Sequence, residues 1–356
     1  MSDSVRGAPM LIGHRGAPGY RPEHTEASYR LAFEQGVDAV EPDIVVSKDG
    51  VLVIRHENAI SATTDVADRP EFADRKTTKV IDGVELTGWF AEDFTWAELS
   101  TLRCKERLPE MRPENTRFDG DQPILRLIDL IALVDEENAK RVTPIGLVIE
   151  LKHVAFLAEA GHDLIELLLA DLAQCGWDTR PEQLTIECFE ISPLDRMRER
   201  GLAARFVFLM EHAGAPADDV AVNGAQATPY SWYRSDEGLD SLIGRVHGIS
   251  LSKRDLLQTA AKGGVVGITD VVARAHERGL DVFTWTMRPE NGFLNPAFRS
   301  NKQRADIGDW QAEWRLILST GLDGVFLDHP DMLAVLRGAE AVEAAGVDGP
   351  VLTPPA

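Results

Sequence analysis

Eight short apolar runs, most of them separated by amphipathic stretches, constrain this chain more than any other feature. They are Met10–Gly13, Asp38–Asp43, Gly146–Glu150, Leu184–Cys188, Arg205–Met210, His247–Leu251, Asp281–Thr286 and Asp323–Leu327. Such near-continuous hydrophobic runs are the mark of strands covered on both faces. The segments between them, such as 162–174 (HDLIELLLADLAQ) and 268–278 (ITDVVARAHER), repeat apolar residues at helical spacing, and Gly279 closes the second as a C-terminal cap would. Alternating strands and helices predict an α/β protein with a parallel sheet, and the count of eight predicts a closed (β/α)8 TIM barrel. An open doubly wound sheet is the competing architecture, and it is disfavoured because no GxGxxG follows the first run.

One region breaks the rhythm. After His56 the chain runs to about Gln122 with many charges, and Trp89, Phe90, Phe94 and Trp96 cluster within it. This predicts a small insertion subdomain over 58–122, between the hairpin after strand two and strand three, with the aromatics as its own core. The barrel then spans 1–337, and Gly338–Ala356, with small residues and Pro354-Pro355, reads as a loosely ordered tail. The net charge of −21 disfavours nucleic acid and stable association with an anionic membrane. A site for an anionic substrate therefore needs local positive charge from arginine, lysine or a metal. Cys104, Cys175 and Cys188 are too sparse for a disulfide framework or a CxxC metal knuckle. Met1-Ser-Asp-Ser-Val-Arg lacks a following apolar run, and no segment holds the roughly 18 apolar residues of a membrane span, so a cytoplasmic protein is expected. The oligomeric state is left open.

In a barrel of this kind, functional side chains sit at the C-terminal strand ends. Strand one ends at His14-Arg15, although Gly16, Ala17, Pro18 and Gly19 already supply the turn, so this pair needs another explanation. Strand two carries Glu41 and Asp43, which two-residue alternation puts on one face, and strand three ends in Glu150-Leu151-Lys152. Ser47-Lys48-Asp49-Gly50 predicts an antiparallel hairpin, and if Val46 faces Val51, Glu41 pairs with His56 and Asp43 with Ile54. That brings His56 back beside the carboxylates. Glu41, Asp43 and Glu150 at one apolar mouth repel one another without a cation, and an all-oxygen set suits Ca2+ or Mg2+ better than Zn2+. Arg15 and Lys152 offer donors to a phosphate oxygen. With His14 and His56 as an acid–base pair beside one divalent ion, phosphodiester cleavage fits the residue set.

These residues are similar to a known family. The pattern HRG (14–16), P-E-x-T (Pro22, Glu23, Thr25), ExD (41–43), KDG (48–50), a histidine at 56, ExK (150–152) and GxDGxxxDxPD (321–331) resembles the glycerophosphodiester phosphodiesterases over nearly the whole chain. The resemblance implies a (β/α)8 barrel that hydrolyses glycerophosphodiesters to sn-glycerol 3-phosphate and an alcohol. It implies His14 and His56 as general acid and base, Glu41, Asp43 and Glu150 as ligands of one divalent cation, and Arg15 and Lys152 as phosphate contacts. Trp285, in Thr284–Arg288 (TWTMR), is then a wall of the glycerol pocket. Departures from the family pattern are His24 where the family has asparagine, Glu57 where it has aspartate, and Cys188 where it often has serine. Two alternatives stand beside this reading. One is a lysophospholipase D or cyclising phosphodiesterase with an apolar groove under the insertion aromatics; the other is a non-catalytic phosphate-binding barrel.

Overall fold

Each of the eight apolar runs forms a strand of one sheet. The computed structural model describes residues 8–260 and 263–336, so the tail expected over 338–356 lies outside the described residues. In chain order the strands are β1 (Met10–His14), β2 (Ala39–Glu41), β3 (Asp43–Val46), β4 (Leu52–Ile54), β5 (Thr77–Ile81), β6 (Val84–Gly88), β7 (Gly146–Leu151) and β8 (Leu184–Cys188). They continue with β9 (Arg205–Met210), β10 (Gly248–Ser252), β11 (Leu257–Thr259), β12 (Val265–Ile268), β13 (Asp281–Met287) and β14 (Gly324–Leu327). Parallel neighbours run β2-β1-β14-β13-β10-β9-β8-β7, and β7 pairs back with β2, which closes the ring. The sheet is the expected (β/α)8 barrel.

Helices such as Glu26–Glu34, Leu127–Asn138, Leu164–Cys175, Ile191–Glu199 and Trp310–Leu318 cover the outside. Their apolar stripes bury against the outer faces of the strands, as in Leu164, Ile165, Leu168 and Leu172 of one helix. Inside the ring a second, smaller cluster holds Ile12, Ala39, Val148, Val207, Phe283 and Phe326. Side chains two residues apart on a strand share a face. The next interior positions up the strands are therefore His14, Glu41, Glu150, Leu209, Trp285 and Asp328, so the packed floor gives way to chemistry within one residue pair.

The hairpin register differs from expectation by one residue. β3 and β4 pair Ile44 with Ile54 and Val46 with Leu52, and the Arg55 amide donates to the Asp43 carbonyl. The cause is the turn. Ser47 N donates to Val51 O at 2.9 Å and Gly50 has φ +82°, so the loop is the three residues Lys48, Asp49 and Gly50 rather than four. A three-residue loop ending in a left-handed glycine is a favoured hairpin connection. Glu41 and His56 are thus not cross-strand partners, yet His56 still returns to the barrel mouth.

From Ile60 to Ile124 the chain builds a separate hydrophobic cluster against the outward face of the hairpin. Val45 and Val53 pack with Ile60, Val66, Phe72, Trp89, Phe94, Leu99, Leu102, Cys104 and Ile124. Phe90 is also fully buried, and Trp96 is half-buried against the cluster. None of these four aromatics, Trp89, Phe90, Phe94 and Trp96, is among the described residues that line the cavity at the barrel mouth.

Candidate active site

The end of β1 is a left-handed turn. Arg15 has φ +58° and Gly16 φ +90°. A Cβ at Gly16 would stand 2.5 Å from Ser28 Oγ, so only glycine fits there. A non-glycine residue in this backbone region costs about 1–2 kcal/mol. The surrounding bonds hold it: Arg15 N donates to Glu41 Oε2 at 2.8 Å, and His24 N donates to Arg15 O at 3.1 Å. The turn lets consecutive residues, His14 and Arg15, both face the same cavity.

That cavity, of about 700 Å³, occupies the C-terminal mouth of the barrel. His14, Arg15, Glu41, His56, Glu150, Lys152 and Trp285 line it, so it gathers these sequence-expected residues in one place. Arg107, Glu187 and Arg288 also face it and had no assigned part in the sequence reading. Asp43 stands behind the wall: its Oδ2 is 2.8 Å from His24 Nε2 and 3.3 Å from Arg15 Nε, and its Oδ1 is 3.8 Å from Lys152 Nζ.

Three imidazoles line the pocket, and two of them, His14 and His56, are each held at Nδ1, which leaves Nε2 for chemistry. His14 Nδ1 lies 2.6 Å from Asp328 Oδ1, and His56 Nδ1 lies 2.8 Å from Glu57 Oε1. Burial, helped by Arg15, pulls the His14 pKa from 6.5 to about 3. Burial with Arg15 and Lys152 does the same to His56, to about 3. Both shifts favour the neutral form of each ring in the free protein. An arriving anionic phosphate favours the protonated form of either ring.

The carboxylates form the opposite kind of cluster. Asp43, Glu150 and Glu187 stand at one level across three neighbouring strands, Asp43 paired with Glu150 and Glu150 with Glu187. Like charges directly opposite one another destabilise a sheet. Burial and these neighbours push Glu41 and Glu187 well above the usual carboxylate range, and Glu150 from 4.5 to about 8. Burial alone would raise Asp43 too, but Lys152 and Arg15 overcome it and hold Asp43 well below its ordinary value. Oxygens of Glu41, Glu150 and Glu187 lie within 4.8 Å of one another. Oxygens sharing one Ca2+ at about 2.4 Å stand no more than about 4.8 Å apart. Among the described residues, Glu41 Oε1, Asp43 Oδ1 and Glu187 Oε2 are buried without a hydrogen-bond partner, so the set has both the spacing and the unspent lone pairs to fit a divalent cation.

Glu187 was legible in principle, being an acid inside the apolar run LTIEC and two residues above the interior position Thr185. Arg107 comes from the irregular segment before β7, where no periodicity says which residues reach the barrel.

A barrel whose mouth gathers three imidazoles, buried carboxylates and cationic side chains around one cavity defines a hydrolase of phosphoric esters. The chain belongs to the glycerophosphoryl diester phosphodiesterase family, whose model matches residues 14–332. It is 32% identical over 91% of its length to a glycerophosphodiester phosphodiesterase of Arabidopsis thaliana, covering 85% of that protein. It is 27% identical over 93% of its length to a glycerophosphodiester phosphodiesterase of Treponema pallidum, covering 92% of it. Its fold matches the structure of an Oleispira antarctica phosphodiesterase in complex with the product sn-glycerol-3-phosphate, with a TM-score of 0.59, 20% identity, and 93% and 97% of the two chains covered. Among the described residues, no helix is long and apolar enough to cross a membrane.

Proposed function

We propose that this chain hydrolyses glycerophosphodiesters to sn-glycerol 3-phosphate and an alcohol, with His14 and His56 as the acid–base pair and one divalent cation, Ca2+ or Mg2+. The observation that carries this reading is the pairing of two Nδ1-anchored imidazoles with a cluster of carboxylates whose buried oxygens lack partners, all at one cavity. Glu41, Glu150 and Glu187 would hold the cation, with Asp43 beside them. When bound, the cation supplies electrostatic stabilisation to charge developing on the phosphoryl oxygens.

The chain's own residues do the rest. Arg15 and Lys152 contact the phosphate; today's partners of Arg15, Glu23 at 3.1 Å and Asp43 at 3.3 Å, keep the guanidinium fixed in place. One imidazole takes a proton from the water that attacks phosphorus, and the other gives one to the leaving alkoxide. Trp285 walls the glycerol end, where Phe189 packs against it edge-on at 5.6 Å and its Nε1 donor has no partner among the described residues. The segment 58–122 acts as an insertion subdomain that covers one side of the mouth.

The test is release of glycerol 3-phosphate from glycerophosphocholine by purified protein with Ca2+ or Mg2+. Activity should vanish with chelator and fall in His14→Ala and His56→Ala variants. Full turnover in chelator, or in both variants, would overturn the reading.

A further inference from the structure

Asp328, one residue past β14, serves different groups with its two oxygens. Oδ1 meets His14 Nδ1 at 2.6 Å. Oδ2 accepts from Arg288 Nε at 2.6 Å and from Arg112 Nη2 at 2.6 Å. Arg288 follows the barrel strand β13, but Arg112 belongs to the segment between the hairpin and β7. Its guanidinium is buried and fully engaged. Nε donates to Glu290 Oε1 at 2.8 Å and Nη1 to the Pro18 carbonyl at 2.9 Å. One side chain from outside the barrel thus ties together the loops after β1, β13 and β14.

This goes beyond a surface staple. With both guanidiniums on Oδ2, Oδ1 is the oxygen left to hold the imidazole. Burial alone would raise the Asp328 pKa, but Arg288 and Arg112 keep it well below its ordinary value, so the carboxylate stays an acceptor for His14. Arg112 does not line the cavity and is too deeply buried to reach substrate. Its effect on chemistry has to pass through Asp328.

We propose that Arg112 is a positioning residue for the reaction, fixing Asp328 so that Asp328 holds His14 with Nε2 toward the substrate. The inserted segment is then part of the acid–base machinery and not a separate cover. This rests on the reading of His14 as a proton-transfer residue. The competing role is mechanical, in which Arg112 merely fastens the segment to the barrel. Asn115 provides the control, because its Nδ2 also donates to the Pro18 carbonyl, at 3.0 Å, and to Glu106, without touching Asp328.

The experiment is steady-state kinetics on glycerophosphocholine with Ca2+ for the full chain and for Arg112→Gln, Arg112→Lys, Asp328→Asn, Asn115→Ala and the Arg112→Gln/Asp328→Asn double variant, each checked for its thermal midpoint. Arg112→Gln should lower kcat by about 10- to 100-fold with KM changed less than about threefold, and Arg112→Lys should recover part of the loss as a single point charge. The double variant should be no slower than Asp328→Asn alone, because both changes break one chain of contacts. Asn115→Ala should stay within about twofold of the unaltered chain. Multiplicative losses in the double variant, or equal losses in Asn115→Ala and Arg112→Gln, would overturn the proposal. Should Arg112→Gln fail to fold, the same cycle is run with Arg112→Lys. Absence of turnover by the unaltered chain would instead overturn the functional reading, so the two failures are distinguishable.

Discussion

His14 and His56 are held in opposite ways. His14 ends a barrel strand, is buried, and leans on Asp328, which buried Arg112 and half-buried Arg288 secure. His56 ends a hairpin, and its side chain is 25% exposed. It leans on Glu57, 40% exposed, whose other oxygen meets His153 Nε2 at 3.1 Å. His153 Nδ1 in turn lies 2.6 Å from Asp82, at the tip of the β5–β6 hairpin. Both routes end in the segment before β7, one through largely buried contacts and the other through partly exposed ion pairs at the cavity wall. Buried charge pairs cost a great deal to break, whereas exposed ones contribute about 0–1 kcal/mol. The first route holds its imidazole through contacts that are costly to break, and the second through partly exposed ones.

The largest expected effect falls on the imidazoles themselves, and it should be the same on both sides. His14→Ala and His56→Ala should each lower kcat by about 10²- to 10⁴-fold, since each removes one proton-transfer group. A loss confined to one of them would mean that only one side handles protons. The supports should then differ. Asp328→Asn is expected to cost about 100-fold in kcat, while Glu57→Gln costs less than about tenfold, because a water can replace a partly exposed partner. Equal costs would break the contrast drawn above. A weaker sign of it is salt: about 0.5 M NaCl should weaken the Glu57–His153–Asp82 chain and leave the Asp328 contacts intact.

The carboxylate cluster makes a second prediction, with a sign fixed by its pKa shifts. Glu150 is raised from 4.5 to about 8, so the folded metal-free protein binds that proton more tightly than the unfolded chain does. Its contribution is fully present below about pH 4.5 and is lost as pH rises toward 8. The lowered His14 and His56 pull the other way up to about pH 6.5, so thermal midpoints of the metal-free protein should fall between about pH 7 and 8, and Ca2+ should reverse the fall most strongly at the upper end. Glu187→Gln should blunt both trends and weaken Ca2+ binding at least about tenfold by calorimetry. A flat pH profile in the metal-free protein would indicate that the cluster is already satisfied without a cation.

Much of the barrel was legible because its signal is local and periodic. Continuous apolar runs gave all eight barrel strands, and the residues at their upper ends pointed to the mouth. What escaped were facts set by non-periodic geometry. Lys48–Gly50 forms a three-residue loop because Gly50 adopts φ +82°, and that moved the hairpin register by one. Glu187 is the exception, within reach of the two-residue period, but a single acid in LTIEC looks like noise until Glu150 is known to stand beside it. Arg107 and Arg112 lie in a segment with neither helical nor strand period, so only tertiary packing reveals that one lines the cavity and the other reaches Asp328.

The smallest expected effect concerns another imidazole, His24, at the one position of the P-E-x-T stretch that leaves the family pattern. It is fully buried, with Nδ1 2.8 Å from the Tyr29 hydroxyl and Nε2 2.8 Å from Asp43 Oδ2. It therefore stands one layer behind the chemistry, supporting a carboxylate as Asp328 supports His14. Its backbone has φ +58°, a region that asparagine enters more readily than most residues. His24→Asn exchanges a two-ended hydrogen-bond bridge for an easier backbone, and these changes oppose each other. The variant should keep its thermal midpoint within a few degrees and its kcat within about tenfold, with the loss showing mainly as weaker Ca2+ binding if Asp43 drifts. A loss as deep as that of His14→Ala would place His24 among the proton-transfer groups, and the pocket would then hold three working histidines instead of two.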